Sequence, residues 1–427
     1  MTDTLTADTL SNDDSIGVTF DPFHGDQLLD PYPVYERARA EEPVFYSEKL
    51  KMWYATRYDD IIAITKDPVR FSSAGAIDVP VDHTERTQKA IAASWIAQGS
   101  LTNNDPPSHD VIRRLVSRAF SLRRVATVES AVQRVVDKFI DGFERDGRVE
   151  LVHQFNFPAT LQIILDHIGV TAEDPMQLRR WSDDWLGINH LPMSPEEQDA
   201  TMARLLDCQQ YWIDFIEERR ARPHADLLSD IIRASDQEDT QIPVLQLVNV
   251  CMTLYVAGHT TTTDLLSLCM YHLLSDPEQR RLVLEDGANI PRAVEETLRV
   301  DSSVHALMRT TTQEVVVRGV RIPAGERIGL LYASANHDEQ RFPGGNRIFD
   351  LRHDHSAAHL AFGHGIHFCI GAPLARLVAR QAISTLFRRL PNLRIGPEHA
   401  TAYVVNPIHR GLAELRLEWD VPRTPQA

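Results

Sequence analysis

The chain has 427 residues, and 60 acidic against 44 basic side chains give it a formal net charge of −16 at pH 7. This balance argues against nucleic acid as the main partner, because the phosphate backbone attracts basic surfaces. The four cysteines (Cys208, Cys251, Cys269 and Cys369) are scattered without framework spacing, which excludes a disulfide scaffold and predicts a cytoplasmic protein.

The two ends of the chain set the limits of the predicted domain. Residues 1–21 begin with a stretch rich in Thr, Asp and Ser and are predicted to be a disordered segment. Residues 22–420 are predicted to form one domain, and residues 421–427 a C-terminal tail. The chain starts without the basic and then apolar pattern of a secretory leader. No run reaches the roughly 18 apolar residues of a membrane span, so we expect no membrane anchor.

The first ordered elements are predicted to be helices around a hairpin. Residues 34–42 and 58–66 have helical spacing. The aromatic and β-branched residues at 43–46 and 52–56 predict two paired strands between these helices.

Residues 72–101 show no strong period, and a connection of this length inside a domain is usually functional or mobile. Ser108 then provides an N-cap for a helix on which His109 and Arg113 lie one turn apart on one face. By itself such a pair indicates no more than a surface helix.

The middle of the chain is mostly helical in pattern. Residues 187–195 are predicted to join two helices, and the polar, acidic residues 230–242 to form an exposed loop. Residues 243–274 are apolar nearly all round, as a fully buried helix is. Yet residues 260–263 are four consecutive threonines. Their hydroxyls either bend the helix locally and make room for a ligand, or are satisfied within the helix.

Beyond this helix the pattern becomes mixed. Glu296 and Arg299 lie at i and i+3 of a predicted helix over residues 290–299, where a surface salt bridge would contribute a few tenths of a kcal/mol. Short strands are predicted at residues 315–317, 328–332, 393–395 and 415–419.

The most informative stretch is residues 359–371. Gly363 and Gly365 permit backbone angles that other residues avoid, and a close approach to a flat or bulky group. Cys369 stands where this loop ends and a helical run over residues 372–390 begins. Its sulfur is expected to face the positive end of that helix, which favours the thiolate. A thiolate held this way can ligate iron.

Two alternatives compete with iron ligation at Cys369. The first is a glycine-rich turn around a buried structural cysteine. The second is zinc, because five histidines crowd this region: His353, His355, His359, His364 and His367. Structural zinc sites pair their ligands and use a second cluster elsewhere, so an isolated cysteine argues against zinc.

Residues 362–371 read F-G-x-G-x-H-x-C-x-G and closely resemble the haem-binding loop of the cytochrome P450 family. Three more family motifs occur in order: D-P-Y-P-x-Y from Asp30, D-P-P-x-H-x-x-x-R from Asp105 and E-x-x-R from Glu296. The resemblance implies a mainly α fold with minor β, a helical prism with small β-sheets. Residues 22–420 would then be a single haem-thiolate monooxygenase domain of the soluble bacterial type.

The resemblance also implies roles for individual residues. Cys369 would ligate the iron of haem b. The haem carboxylates would be held by His109, Arg113, Arg309 and His367. Further contacts with the cofactor would come from Ala257, Phe362, Gly363 and Gly371. The buried ion-pair element of the family would consist of Glu296, Arg299 and a third arginine, for which Arg347 is preferred over Arg352.

The long helix departs from the family pattern A-G-x-(acid)-T. Thr261 falls at the alcohol position that helps to deliver protons to oxygen, but Thr260 stands where the family has an acid. A threonine hydroxyl relays a proton without supplying one near neutral pH. Asp264, about one turn further on, is the candidate to compensate through water.

The resemblance implies a monooxygenase of secondary metabolism that inserts one oxygen atom of O₂ into a small to medium, largely apolar organic substrate. The candidate pocket residues are Ile91, Trp95, Leu101, Leu186, Met252, Leu254, His305, Leu307 and Ile408. Electrons would come from a separate ferredoxin- or flavodoxin-type donor with its reductase. The alternatives are peroxide-driven or otherwise atypical oxidation, motivated by Thr260, and a haem protein that only binds a ligand.

Overall fold

The computed structural model describes residues 15–117, 120–170, 175–237, 242–344, 347–353 and 358–421. Helices dominate this part of the chain. They are α1 (Ile16–Thr19), α2 (Gly25–Leu29), α3 (Tyr32–Glu41), α4 (Tyr58–Thr65), α5 (Glu85–Ala92), α6 (Ser108–Ser117), α7 (Leu122–Thr127), α8 (Glu129–Asp141), α9 (Phe157–Ile168), α10 (Pro175–His190), α11 (Pro195–Ala221), α12 (Leu227–Gln237), α13 (Val244–Ser275), α14 (Pro277–Glu285), α15 (Ile290–Val300), α16 (Tyr332–Ala335) and α17 (Ala372–Arg389). None of the described helices is long and apolar enough to cross a membrane.

Short strands form three small sheets in the described ranges. They are β1 (Val44–Ser47), β2 (Met52–Ala55), β3 (Phe71–Ser72), β4 (Arg148–Glu150), β5 (Ala306–Thr311), β6 (Val315–Val317), β7 (Val320–Ile322), β8 (Arg327–Leu331), β9 (Arg394–Ile395) and β10 (Arg416–Glu418). The largest sheet has the order β1-β2-β8-β5-β3, in which only β2 and β8 run parallel. The other two are β4-β10-β9 and β6-β7. The predicted mainly α fold with minor β is confirmed.

Helix α13 lies at the centre of the molecule and packs against α9, α11, α15 and α17. Its apolar residues are buried on most sides, as its sequence predicts. The contact with α9 depends on Gly258, since a Cβ at this position would lie 2.6 Å from Cγ1 of Ile164. The close approach of these two helices fixes one wall of the cavity described below.

Most elements predicted from periodicity are found with their ends shifted by a residue or two. The hairpin of β1 and β2 pairs Val44 with Ala55 and Ser47 with Met52. The helices predicted over residues 243–274 and 290–299 are α13 and α15.

The N-terminal boundary of the predicted domain is corrected by the structure. Ser15 caps α1 by accepting a hydrogen bond from the Val18 N–H, and Ile16 and Phe20 are buried in the core. Ordered chain therefore begins before residue 22, because two large apolar side chains find partners there. The rest of the predicted disordered segment, residues 1–14, lies outside the described residues, as does most of the predicted tail.

Two predicted irregular segments contain helices. Helix α5 lies within residues 72–101, and Thr84 caps it by accepting a hydrogen bond from the Thr87 N–H. Helix α12 covers residues 230–237 of the predicted loop, because Ile231 and Ile232 are buried on one of its faces. Residues 238–241 lie outside the described part of the chain.

Candidate active site

A cavity of about 250 Å³ lies in the middle of the molecule, between α13, β5 and the loop before α17. Cys369 lines it from the loop, Thr261 from α13 and Leu307 from β5. Helices α9 and α10 close further sides with Ile164 and Trp185. Most of the lining side chains are apolar, so the cavity suits a flat or bulky apolar group beside the sulfur.

The loop takes its shape from glycines at two positions. Gly363 and Gly365 have φ values of 69° and 74°, the left-handed region that side chains disfavour. A Cβ at Gly365 would also lie 2.6 Å from the carbonyl oxygen of Thr65, on the last turn of α4. The Cys369 N–H then donates to the Phe362 carbonyl at 2.8 Å, which closes the loop and brings Cys369 to the cavity wall.

The electrostatic surroundings of the Cys369 thiol combine opposing effects. Burial raises the pKa of Cys369, while the N–H groups of Gly371 and Ala372 at the start of α17, and the charge of Arg113, lower it. Burial is the largest of these effects and the pKa is raised, which is opposite to the direction expected from the helix N-terminus alone. Coordination to a metal cation deprotonates a thiol outright, which is compatible with this site.

The predicted partners of the haem carboxylates converge on this end of the cavity. Arg113, Arg309 and His367 line it, and His109 packs behind His367 with the ring centroids 4.2 Å apart. The Nε2 atoms of both histidines are buried without a hydrogen-bond partner among the described residues. The Nδ1 atom of His367 lies 3.1 Å from the carbonyl oxygen of Leu101.

Charge explains why this cluster fits a cofactor that carries carboxylates. Burial, followed by the charges of Arg309 and His109, lowers the pKa of His367 to about 3. Burial also lowers the pKa of Arg113. The guanidinium charges of Arg113 and Arg309 would be stabilised by an anionic group through charge-assisted hydrogen bonds, and the neutral His367 ring could donate a further hydrogen bond. The residues present therefore fit haem: Cys369 would ligate its iron, and Arg113, Arg309 and His367 would hold its carboxylates.

The contacts predicted for the rest of the cofactor also lie on this cavity. Ala257, Phe362, Gly363 and Gly371 are lining residues. A Cβ at Gly371 would lie 3.8 Å from the Cys369 sulfur. Among the described residues no cluster of three His, Cys, Asp or Glu side chains could hold a metal ion. His355 lies outside the described part of the chain.

The threonines of α13 are satisfied within the helix, which remains continuous. The hydroxyls of Thr260, Thr261 and Thr262 donate to carbonyls one turn earlier, at 2.9, 2.9 and 3.0 Å. Of the two alternatives for these threonines, the structure therefore shows hydrogen bonding within the helix. Thr260 and Thr261 still line the cavity, with their hydroxyl oxygens free to accept a further hydrogen bond.

Asp264 has a different environment from the one that the sequence suggested. It is not among the cavity-lining residues, and its carboxylate lies against Gly411, where a Cβ would meet the Asp264 carboxylate. Burial raises the pKa of Asp264 well above its ordinary value. No Asp or Glu of the described residues lines the cavity.

The predicted pocket residues divide into two groups. Those that line the cavity are Leu101, Leu186, Leu254, Leu307 and Ile408. The others lie outside its lining. Ile91 packs against the core from α5, and Met252 is turned towards α11, where the Trp212 indole N–H lies 3.0 Å from its sulfur.

Trp95 and His305 are also misplaced by the sequence-based prediction. The Trp95 ring is fully buried against Trp185, with its N–H directed at the carbonyl oxygen of Leu205. His305 points away from the cavity, with Nδ1 3.2 Å from the Tyr35 hydroxyl. Both positions are wrong for the same reason, since the resemblance does not tell which neighbours a side chain faces in this chain.

Several cavity-lining polar residues were not predicted. Asn189 and His190 end α10, His409 follows Ile408, and Tyr332 follows β8. His409 had a usable signal, because it lies in the same predicted turn as Ile408. Asn189 and His190 had no such signal in the sequence, because only the tertiary packing of α10 brings its last turn to the cavity.

The buried ion pair of α15 forms without Arg347. Arg299 donates two hydrogen bonds to Glu296, at 2.9 and 2.7 Å, and both side chains are almost fully buried. His353 provides the additional contact, with Nδ1 3.3 Å from the Glu296 carboxylate. Arg347 instead lies at the surface and pairs with Asp30 at 3.2 Å. The choice of Arg347 is wrong, because nearby acidic side chains on another segment hold it outside the core.

Known proteins share both the sequence and the fold of this chain. A family model described as Cytochrome P450 matches residues 191–393. The cytochrome P450 monooxygenase PikC of Streptomyces venezuelae is 36% identical over 402 residues, covering 92% of this chain and 92% of the relative. The vitamin D(3) 25-hydroxylase of Pseudonocardia autotrophica is 36% identical over 381 residues, covering 88% of this chain and 90% of the relative. The solved structure of cytochrome P450 CREJ in complex with (4-ethylphenyl) dihydrogen phosphate is 30% identical, covers 95% of this chain and 100% of that chain, and has a TM-score of 0.88.

Proposed function

The chain belongs to the cytochrome P450 family of haem-dependent monooxygenases, and we propose that Cys369 is its iron ligand and that its substrate is a neutral, largely apolar organic molecule. The observation that supports this proposal is the position of Cys369 on a mostly apolar cavity whose lining also includes the guanidinium groups of Arg113 and Arg309. The same wall would hold the metal and the carboxylates of one cofactor, while the remaining lining would receive the substrate.

The residues that would hold haem b have separate tasks. Arg113 and Arg309 would form charge-assisted hydrogen bonds with its carboxylates. The Nε2 atoms of His109 and His367, which have no partner among the described residues, would add further hydrogen bonds. Phe362 would pack on the ring system beside the sulfur. A cysteine-ligated haem supplies the electron-rich iron that favours cleavage of the O–O bond.

The chain's own residues would control water and protons around the reacting oxygen. Apolar side chains from α9, α10 and α13 exclude bulk water from the cavity, which strengthens each remaining polar contact. The Thr261 hydroxyl donates to the Ala257 carbonyl at 2.9 Å, so its oxygen lone pairs would accept a hydrogen bond from a water and hold it in place. That water, rather than Thr261 alone, would carry the proton.

Peroxide-driven oxidation is the second candidate, and one observation favours it. The described residues that line the cavity include no Asp or Glu, and Thr260 stands at the position of the family's acid. With O₂ and two electrons, the reaction consumes two protons in forming water. Hydrogen peroxide brings both protons with it, and a cavity without an acid therefore places less demand on the protein when peroxide is the oxidant.

We also propose that electrons reach the site from a separate acidic donor of the ferredoxin or flavodoxin type. On the outer side of the cysteine loop, Ile366 and Phe368 are exposed apolar residues. Arg113 on α6 donates to the Phe368 carbonyl, and the next residue, Arg114, is exposed, as is Arg380 on α17, the helix that follows the loop. Since the whole chain has a net charge of −16, such a donor would be attracted only where basic side chains cluster locally.

One spectroscopic experiment tests the iron ligand. Wild-type protein, Cys369→Ala and Cys269→Ala would be loaded with haem, reduced and exposed to carbon monoxide. We expect the red-shifted Soret band that gives the family its name in the wild type and in Cys269→Ala. The second variant is the control, because Cys269 is a buried thiol on α13 and not in the cysteine loop. The band should be absent in Cys369→Ala. A Cys369→Ala protein that keeps the band would overturn the assignment.

A further inference from the structure

The lining of the cavity includes polar atoms that have no hydrogen-bond partner among the described residues. His409 lines the cavity, and its ring makes no hydrogen bond with any described residue. Its nearest aromatic neighbour is His190, with the ring centroids 6.0 Å apart. Asn189 also lines the cavity; its amide nitrogen donates to the Trp185 carbonyl at 2.7 Å, while its side-chain oxygen receives no donor from the described residues.

The turn that presents His409 is held in a defined position. The side-chain oxygen of Asn406 accepts hydrogen bonds from the N–H groups of Ile408 at 2.8 Å and His409 at 3.0 Å. The backbone on either side of His409 is tied to the start of β5, where the His305 N–H donates to the Ile408 carbonyl at 2.7 Å. The imidazole of His409 is therefore presented by a turn that is fixed from both sides.

A second link joins this turn to the end of α10. The Asn406 amide nitrogen lies 3.2 Å from Nδ1 of His190, and Nε2 of His190 lies 2.9 Å from the carbonyl oxygen of Ile77. These partners require His190 to carry its proton on Nε2 and to accept at Nδ1. Both nitrogens of His190 are thus occupied. His190 positions Asn406 and leaves His409 and Asn189 as the open polar groups.

Charge indicates what this part of the cavity can bind. Burial lowers the pKa of His409 to about 4 and that of His190 to about 3, so both rings are neutral at pH 7. Arg113 and Arg309 belong to the carboxylate-binding wall and donate to the carbonyls of Phe368 and Met308. A neutral imidazole has one donor and one acceptor, and the Asn189 oxygen is an acceptor. A neutral hydroxyl, which both donates and accepts, complements this pair.

We propose that His409 and Asn189 form a polar subsite that hydrogen bonds a neutral hydroxyl or carbonyl oxygen of the substrate. The proposal deepens the proposed function and rests on it. The substrate class is then an apolar skeleton that already carries one neutral oxygen. Anchoring that oxygen at His409 would fix which carbon of the skeleton faces the reacting oxygen. A hydroxyl should bind more tightly than a ketone, because only the hydroxyl can also donate to Asn189.

Binding of matched ligands to the haem-loaded protein tests this subsite. The probes are cyclododecane, cyclododecanone and cyclododecanol, with 4-phenylphenol and biphenyl as a flat pair, and the readout is the dissociation constant from the Soret shift and from calorimetry. In the wild type we expect each alcohol to bind about tenfold more tightly than its hydrocarbon, as one hydrogen bond contributes. His409→Phe keeps a ring of similar size and should reduce that ratio to about one, while His409→Gln should restore most of it.

The possible outcomes separate this subsite from the proposed function. Loss of the reduced carbonyl band in the wild type would remove the haem-thiolate assignment itself. If the band is intact but the wild type binds hydrocarbon and alcohol equally, or binds neither, the polar subsite is wrong. The subsite is also wrong if His409→Phe weakens both members of a pair by the same factor. Asn406→Ala should reduce the ratio without affecting hydrocarbon binding, as expected of a positioning residue.

Discussion

Arg376 on α17 donates two hydrogen bonds to Glu295 on α15, at 2.6 and 2.8 Å, and its guanidinium lies 4.5 Å from the centre of the Phe362 ring. Phe362 lines the cavity, and its carbonyl accepts the hydrogen bond of the Cys369 N–H. The ion pair therefore joins two helices to the cysteine loop through one side chain. It also means that Arg376 is already paired within the protein, and its charge is less available to an electron donor.

The first prediction follows from the pKa of Glu295. Burial alone would raise this pKa, but hydrogen bonds from Arg376 and His359 outweigh it and lower the pKa from 4.5 to about 2. A lowered folded-state pKa stabilises the protein above the unfolded value, and this contribution is lost as the pH falls from 4.5 towards 2. At pH 7 we expect Glu295→Gln to reduce the free energy of unfolding by about 1–3 kcal/mol, allowing for partial exposure.

Urea denaturation between pH 7 and pH 3 measures this contribution. The difference between wild type and Glu295→Gln should be largest near pH 7 and should shrink in the acid range. Glu398→Gln removes the same charge from an exposed position and should change the unfolding free energy by less than about 0.5 kcal/mol. A difference that does not vary with pH would show that Glu295 acts through packing alone.

The second prediction compares Arg299 and Arg347, the two arginines that the resemblance assigns to one ion-pair element. The side chains of Arg299 and Glu296 are 1% and 2% exposed, whereas Arg347 is 40% exposed. Removing one partner of a buried pair leaves the other charge unpaired, so Arg299→Ala should lower the free energy of unfolding by about 3–5 kcal/mol. Arg347→Ala should lower it by less than about 1 kcal/mol, because surface ion pairs contribute little. Chemical denaturation of both variants measures these differences. Equal losses of unfolding free energy would contradict the placement of Arg347 at the surface.

The cysteine loop could be predicted from the sequence because its determinants are local. Gly363 and Gly365 are required by backbone angles within the loop, and Cys369 follows at a fixed spacing. The central helix α13 was predictable for a similar reason, since its burial on all sides is visible in its own residues. Local features of this kind predict the folded structure correctly because few distant contacts compete with them.

The errors concern residues whose roles depend on distant partners. Arg347 is held by Asp30 on the opposite end of the sequence, and no local pattern reveals that contact. Met252 and Leu254 are both buried on α13, yet only Leu254 lines the cavity. Which face of a fully apolar helix meets a cavity is decided by α9, α10 and α11, and their packing cannot be deduced from periodicity.

The third prediction concerns the surface around the cysteine loop. If an acidic donor binds there, Arg380→Glu should raise the KM for the donor about fivefold at low ionic strength and leave kcat nearly unchanged. The difference should diminish as salt is added, because exposed charges are screened. Lys51→Glu makes the same charge change in the exposed turn between β1 and β2 and should leave the KM unaffected. Steady-state assays with a spinach-type ferredoxin and its reductase provide the measurement, and equal effects of both variants would exclude this surface.

The last prediction concerns Thr260→Glu, which places an acid at the position where the family pattern has one. The Thr260 hydroxyl donates to the Val256 carbonyl at 2.9 Å and lines a cavity in which none of the described Asp or Glu residues takes part. A glutamate at this position would be a carboxyl on that wall, next to the water that Thr261 is proposed to hold. A positioned general acid contributes about 100-fold or more to proton transfer. We therefore expect Thr260→Glu to raise the yield of product per NADPH in the O₂-and-reductase assay severalfold.

The peroxide-driven rate should respond differently, because peroxide brings its own protons, and we expect it to change less than twofold in Thr260→Glu. Thr260→Gln has nearly the same size without a titrating group and serves as the matched control. If the glutamine variant gains as much as the glutamate variant, side-chain size rather than proton supply is responsible. If the wild type works well only with the reductase and Thr260→Glu gains nothing, the absent acid does not limit this enzyme, and peroxide-driven oxidation loses its support.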